Sequence, residues 1–485
     1  MKSEKLYDSI TNIRDDLIEN ATVPQKGRRK KWWRGAIAAG LAVVVVAGVL
    51  LWPEKNPVVP TACAIWEAEY PEMAPYPNDD DYWLANGDFD FDGYSQAYEA
   101  WNEDVQAQHR EDWYADGLQQ FFVRTVPEFL GDSPEENPIY SPLNVYMALS
   151  MLAEVTDGTS RQQILQLLGS ADLESLRSQA ADVWNAAYRK DGAVSCVLAN
   201  SLWLDENIDF VPSTLETLAK NYYASSYRGT MGSAEFNDTL HDWLNAQTGG
   251  LLKEQAQEIQ FDPQTILALA STVYFQSKWR SEFSPSKTAP GVFHGPSEDQ
   301  TVEFMNKEEG GTYYWDDHFG AIAQGLESGG KMWFFLPKEG ETPQQLLSRN
   351  SMMELVQNPQ QWENQKECSI RASIPKFDVT SQMDLRYGLE NLGITHVFDP
   401  DSSDFSPITD ANPTFLSYVK HDARVTIDEE GVTAAAYTVM GREAAELPPE
   451  EKIDFVADRP FVFVITSNDN LPLFIGVVNF PNAPA

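Results

Sequence analysis

The sequence predicts an α+β domain built around large antiparallel β-sheets and carried behind a single transmembrane helix. Three observations lead there. Segments of helical spacing crowd the first half of the chain and strand-like runs the second, an order suited to antiparallel sheets rather than alternating βαβ units. With 485 residues, 42% hydrophobic and 22% charged, the chain has enough apolar material for one large core. Near the N-terminus, Gly35 to Trp52 is a charge-free run of 18 residues standing directly behind the basic stretch Gly27 to Arg34.

That run, as a helix, spans roughly 27 Å, close to the ~30 Å hydrocarbon core of a bilayer. Trp32, Trp33 and Trp52 sit where interfacial aromatics anchor a span, and the Lys/Arg cluster places the N-terminal end in the cytoplasm. Residues 1–34 therefore read as a cytoplasmic tail with one amphipathic helix, and 35–52 as an uncleaved signal anchor. The small-x-small run Ala62-Cys63-Ala64 resembles a signal cleavage site, but it lies 10 residues beyond Trp52, too far for one.

Residues 53–113 read as an acidic extracellular spacer: 54–112 hold 15 Asp/Glu against 2 Lys/Arg, and like charges extend a linker. Within it, Asp88, Asp90, Asp92 and Glu99, with Gly93, formally fit a calcium loop. Ser95 and the poor helix-forming sequence ahead of the loop weaken that match, and acids before a helix stabilise its N-terminus without a metal. No metal or other cofactor is expected.

From residue 114 to 485 the chain reads as one folded domain. GLQQFFVRTVPEFL and VYMALSMLAEV have helical spacing, SRQQILQLLG is a helix capped by Ser160 and stopped at Gly169, and TLHDWLNAQTGG is a further helix. SCVLANSLWL, ILALASTVYF, KMWFFLP, ECSIRASIPKF, Phe461 to Ile465 and PLFIGVVNF read as strands. The formal charge of -38 argues against a nucleic-acid partner. Three cysteines imply no disulfide framework, and Cys196 and Cys368 lie in strand-like runs as buried thiols. No HExxH, CxxC, GxGxxG, Walker-type loop or GxSxG occurs, and no enzyme chemistry is expected.

One segment does not fit a core. EEGVTAAAYTVMGREAAELPP, Glu429 to Pro449, joins two strand-like runs through about twenty residues, where connections usually take about 4–6. Every second residue, Val432, Ala434, Ala436, Thr438 and Met440, is small or apolar, while the other set contains Tyr437; no proline precedes Pro448. It is composed as a strand that can enter a sheet.

The strings NPIYSPLNVYMALSMLAEVTDGTSRQQILQLLG, LANSLWL, ASTVYFQSKW, IPKF, NLGITHVFDP, VTIDEEGVTAAA and DRPFVFVI together resemble the serpin family, in its order, over residues 114 to 485. The likeness is to the membrane-anchored or secreted inhibitory serpins of bacteria. It implies three β-sheets with eight or nine helices and an exposed reactive-centre loop. The implied activity is suicide inhibition: an extracellular serine protease cleaves the loop, which inserts into the central sheet and traps the enzyme covalently.

By family spacing the reactive bond is Ala445-Glu446, 14 residues beyond hinge Gly431 and consistent with Pro448-Pro449. A small residue before the cut implies an elastase-like target. Arg442 is the alternative, for a trypsin-like enzyme, and a serpin that is only cleaved or only binds is the alternative function. The resemblance assigns Glu429, Glu430, Gly431, Val432, Thr433, Ala434, Ala435 and Ala436 to the loop hinge. It places Phe275 and Trp279 at the top of the central sheet, and Ser141, Asn144, Ser271 and His421 beneath its opening strands. The family usually has Ser at 144 and Asn at 271, so an exchange of amide and hydroxyl around His421 is expected. The implied molecule is a monomer on the outer face of a cell membrane.

Overall fold

Burial, not propensity alone, explains how these elements stack. The computed structural model describes residues 63–84, 86–108, 115, 117–131, 135–192, 194–250, 256–416, 419–432 and 451–482. The expected tail, membrane anchor, Thr433 to Ala436, Arg442, Ala445 and Glu446 all lie outside the described residues. No described helix is long and apolar enough to cross a membrane.

The helices are α1 (Phe91–Gln108), α2 (Leu118–Leu130), α3 (Pro142–Glu154), α4 (Gly158–Leu168), α5 (Leu173–Ala187), α6 (Pro212–Tyr222), α7 (Ala234–Gln247), α8 (Pro343–Leu347), α9 (Asn350–Gln357) and α10 (Arg386–Asn391). α4 stops at Gly169, whose φ of 70° suits a residue without a Cβ. Its cap position is Asp157 rather than the expected Ser160, which is buried one residue-pair further in and accepts a hydrogen bond from the Asp404 backbone N–H. α3 is buried on nearly every side because it lies between two sheets, which explains its apolar character all round.

The strands are β1 (Ala64–Trp66), β2 (Ile139–Tyr140), β3 (Arg189–Lys190), β4 (Ser195–Asp205), β5 (Ala224–Gly229), β6 (Leu267–Lys278), β7 (Ala289–His294), β8 (Asp299–Trp315), β9 (Phe319–Gly325), β10 (Lys331–Pro337), β11 (Gln365–Pro375), β12 (Phe377–Asp384), β13 (Lys420–Ile427), β14 (Gly431–Val432), β15 (Lys452–Val456), β16 (Phe461–Thr466) and β17 (Pro472–Val478). The central sheet runs β1-β5-β4-β6-β14-β13-β12, with β3 on β4; the other runs β15-β11-β8-β9-β10-β16-β17-β2, with β7 on β8. β16 and β17 are buried throughout, as their unbroken apolar sequences require.

Three separate sheets were expected, and the described strands form two. The 17-residue β8 is the cause: Asp299 to Phe304 pair with β7, Phe304 to Tyr314 with β11, and Tyr313 to Trp315 with β9. One strand thereby fuses what would be two sheets. The described helices number ten rather than eight or nine, because α1 precedes the domain as delimited from sequence.

The extended-spacer expectation fails for residues 63–108. β1 adds antiparallel to β5, the Tyr70 ring packs on Trp184, Tyr188 and Tyr223, and the Tyr76 N–H donates to the Asp191 carbonyl at 2.8 Å. Trp101 is buried; its Nε1 donates to Asp191 Oδ2 at 2.8 Å, and the Arg189 guanidinium lies 5.0 Å from its ring. Burying each such side chain is worth about 1.5–3 kcal/mol, whereas repulsion between solvated acids is screened beyond about 10 Å. Packing wins. The formal calcium loop is corrected as well: Asp92 and Glu99 lie in α1, two turns apart, and Asp90 Oδ1 accepts from the Gly93 N–H at 3.0 Å. Among the described residues no group of three or more His, Cys, Asp or Glu could hold a metal ion.

Candidate functional site

The site begins where β13 ends. Asp428 to Gly431 form a tight turn: the Asp428 N–H donates to the Gly431 carbonyl at 3.1 Å, and Asp428 Oδ1 accepts from the Glu430 and Gly431 N–H groups at 2.9 and 3.2 Å. The turn delivers β14 into the central sheet between β6 and β13, with Gly431 opposite Lys278 and Val432 opposite both Ser277 and Ile427. Glycine is needed here because β6 passes so close. A Cβ on Gly431 would lie 2.5 Å from the Ser277 carbonyl oxygen and 2.7 Å from the Lys278 Cα.

Trp279 holds the turn from beneath. Its backbone N–H donates to the Glu430 carbonyl at 3.0 Å and its Nε1 to the Asp428 carbonyl at 2.8 Å, while its buried ring meets Phe283 edge-on. Glu429 turns the other way, accepting from Thr288 Oγ1 at 2.7 Å and pairing with Lys376 Nζ at 3.0 Å. Burial works against its charge, but the bonds from Thr288 and Lys376 outweigh that and hold the carboxyl below its usual range; the same pair raises Lys376. Phe275 is buried opposite Cys196 of β4, where burial pushes the thiol up to about 12. Cys196 and Cys368 are free and buried, as expected, and Cys63 is free and half-buried.

Below β14 no described strand lies between β6 and β13. Among the described residues β6 and β13 share no ladder of their own; β14 joins them only at the top. Leu267 to Ser271 of β6 are only half-buried, although β6 lies in the middle of the sheet. A cavity of about 140 Å³ sits against these strands, lined by Ala268, Ser271, His421, Asn144 and, from α3 and α7, Leu149 and Leu244.

At this level the expected polar cluster is present, wired differently from the expectation. The Ser141 backbone N–H donates to His421 Nε2 at 3.0 Å, and Ser141 Oγ donates to the Leu473 carbonyl at 2.6 Å. Asn144 Nδ2 donates to the Ser271 carbonyl at 3.2 Å, and Ser271 Oγ lies between the amide oxygens of Asn144 and Asn200, 2.8 Å from the latter. The single Ser271 hydroxyl proton is thus shared between two amide oxygens while the Asn144 amide donates to the Ser271 carbonyl; neither side chain hydrogen-bonds His421, so an exchange around the imidazole is not what the pair achieves. Burial pushes His421 down to about 4, leaving a neutral ring whose proton sits on Nδ1. Asn200, in LANSLWL, and the Glu429 partners Lys376 and Thr288 were not singled out from sequence. Lys376 falls within the quoted IPKF, the only signal that could have found it.

A family model described as Serpin (serine protease inhibitor) matches residues 116–481. The chain is 27% identical over 409 residues to alpha-1-antiproteinase of Rattus norvegicus, covering 79% of this chain and 94% of that protein. It is 27% identical over 361 residues to leukocyte elastase inhibitor of Homo sapiens, covering 72% and 94%. The native state of tengpin, a thermophilic serpin, superposes with a TM-score of 0.67 at 24% identity, covering 77% of this chain and 95% of that one.

Proposed function

Because the chain belongs to the serpin family, whose members are mostly protease inhibitors, we propose that it traps an extracellular serine protease by inserting its cleaved loop into the central sheet. The observation that carries this reading is β14: Gly431 pairs with β6 and Val432 with both β6 and β13, at the top of a gap between those two strands that no other described strand fills. Continuing the Gly431–Lys278 register, Thr438 falls opposite Ser271; continuing the Val432–Ile427 register, it falls opposite His421. Alternation then turns Ala434, Ala436, Thr438 and Met440 inward with the buried Val432.

Insertion of about 14 residues spans roughly 46 Å, which carries a tethered enzyme from one pole to nearly the other of a domain about 54 Å in diameter. Around ten new ladder bonds contribute on the order of 10 kcal/mol, which distorts the captured protease before it deacylates. The reactive bond is Ala445-Glu446 and the target elastase-like, a reading supported by the small residue before the cut and by relatives named as elastase inhibitors. The molecule acts as a monomer without a cofactor, held by residues 35–52 in a membrane with the domain outside.

Incubation of the full chain with a neutrophil-type elastase tests this. A covalent complex that survives denaturant, releasing a peptide that begins at Glu446, is expected. A peptide beginning at Glu443 moves the bond to Arg442, and complete turnover of the loop without a complex reduces the protein to a substrate or binding module.

A further inference from the structure

The N-terminal strap, residues 63–108, carries a surface that loop insertion does not use. Its hairpin is well built: Trp83 bridges Phe89, the Leu84 N–H donates to the Asp88 carbonyl at 2.8 Å, and the Asp90 N–H donates to the Tyr82 carbonyl at 2.8 Å. From buried Trp101 an unbroken series of ring contacts runs outward through Tyr98, Tyr94 and Phe89. It ends on Trp83 and Phe91, 5.2 and 4.9 Å from Phe89 between centroids. There the rings face solvent: Trp83 is 58% exposed and Phe91 72%. A clustered patch of this kind on a fixed hairpin marks an interaction surface rather than scattered exposure.

Charge selects the partner. Residues 63–108 hold 12 Asp/Glu and no Lys, Arg or His, and Asp81, Asp88 and Asp92 of the hairpin region are exposed. Exposed indole and phenyl faces attract cations, and a strap whose own charges are all acidic disfavours acidic partners and anionic bilayers. We propose that Trp83 and Phe91 dock an arginine- or lysine-rich segment of a partner protein, its cations over the rings and its remaining charges on the surrounding carboxylates.

The full chain is titrated with a fluorescent (Arg-Gly)6 peptide and followed by anisotropy. The double variant Trp83→Ala/Phe91→Ala keeps every charge, so it is expected to weaken binding on the order of tenfold without changing the melting temperature. Asp88→Asn/Asp92→Asn is expected to weaken it and to flatten its salt dependence. Unchanged affinity in the double aromatic variant overturns the proposal, since attraction then comes from net charge alone. Quenching of Trp83 emission by brominated phosphatidylcholine, read as the difference between wild type and Trp83→Phe in reconstituted vesicles, overturns it in favour of a lipid surface.

Discussion

Gly431→Ala tests the hinge directly. The added methyl meets the backbone of β6, at the Ser277 carbonyl oxygen and the Lys278 Cα, so no side-chain rotation relieves it. Overpacking of this kind costs about 1–3 kcal/mol, incurred only while β14 is docked. That shift lowers the docked fraction of the hinge at least ~5-fold relative to the undocked form. Trp279, which donates to Asp428 and Glu430, then loses its cover. Two assays read the effect: the emission difference between Trp279 and Trp279→Phe chains, which shifts red, and the ratio of trapped to cleaved protein after elastase, which falls because insertion cannot start. An alanine variant that traps elastase as efficiently as wild type, with Trp279 still buried, refutes the assignment of β14 as the starting point of insertion.

His421 is pushed down to about 4 by burial against 6.5 in the unfolded chain, so between those values the unfolded state takes up a proton that the folded state refuses. Its contribution, about 3 kcal/mol, is therefore fully present above pH 6.5 and lost as pH falls towards 4. Asp422, pushed up to about 6 by burial, keeps its proton in the folded state and works in the opposite sense, so urea midpoints fall more steeply with acid in Asp422→Asn and less steeply in His421→Gln. Trp101→Ala is expected to cost about 3 kcal/mol by urea unfolding, because it empties the contact with Asp191 and Arg189, while Phe91→Ala stays within about 0.5 kcal/mol; equal effects would mean that the strap is not docked as described. Deleting residues 35–52 is expected to move the protein from the membrane fraction to the supernatant, and retention on membranes would place the anchor elsewhere.

Much of the domain was legible because its strands repeat strong apolar runs and its helices carry stop signals such as Gly169; β10 and the buried run from Phe461 fall where the sequence puts them. Of the expected loop, Gly431 and Val432 lie among the described residues, and there the chain enters the central sheet as β14. The strap was misread because net charge dominates its composition, while Tyr70, Tyr76 and Trp101 are too irregularly spaced to announce a packed face. The wiring around His421 was illegible for another reason. Its partner is the Ser141 backbone, and no side-chain identity at 141 encodes that a main-chain N–H will point at the ring.

β1 has a bearing on how many copies can crowd together. Without it, six residues of β5 would form the outer rim of the sheet, with open donors and acceptors inviting another molecule's backbone. A three-residue cover followed at once by Glu67 and Glu69 leaves a rim too short and too anionic to template its own kind. Dense arrays of this protein should accordingly resist fibrous self-adhesion along that flank, and chains lacking residues 63–70 should sediment as higher aggregates at concentrations where the intact chain stays dispersed.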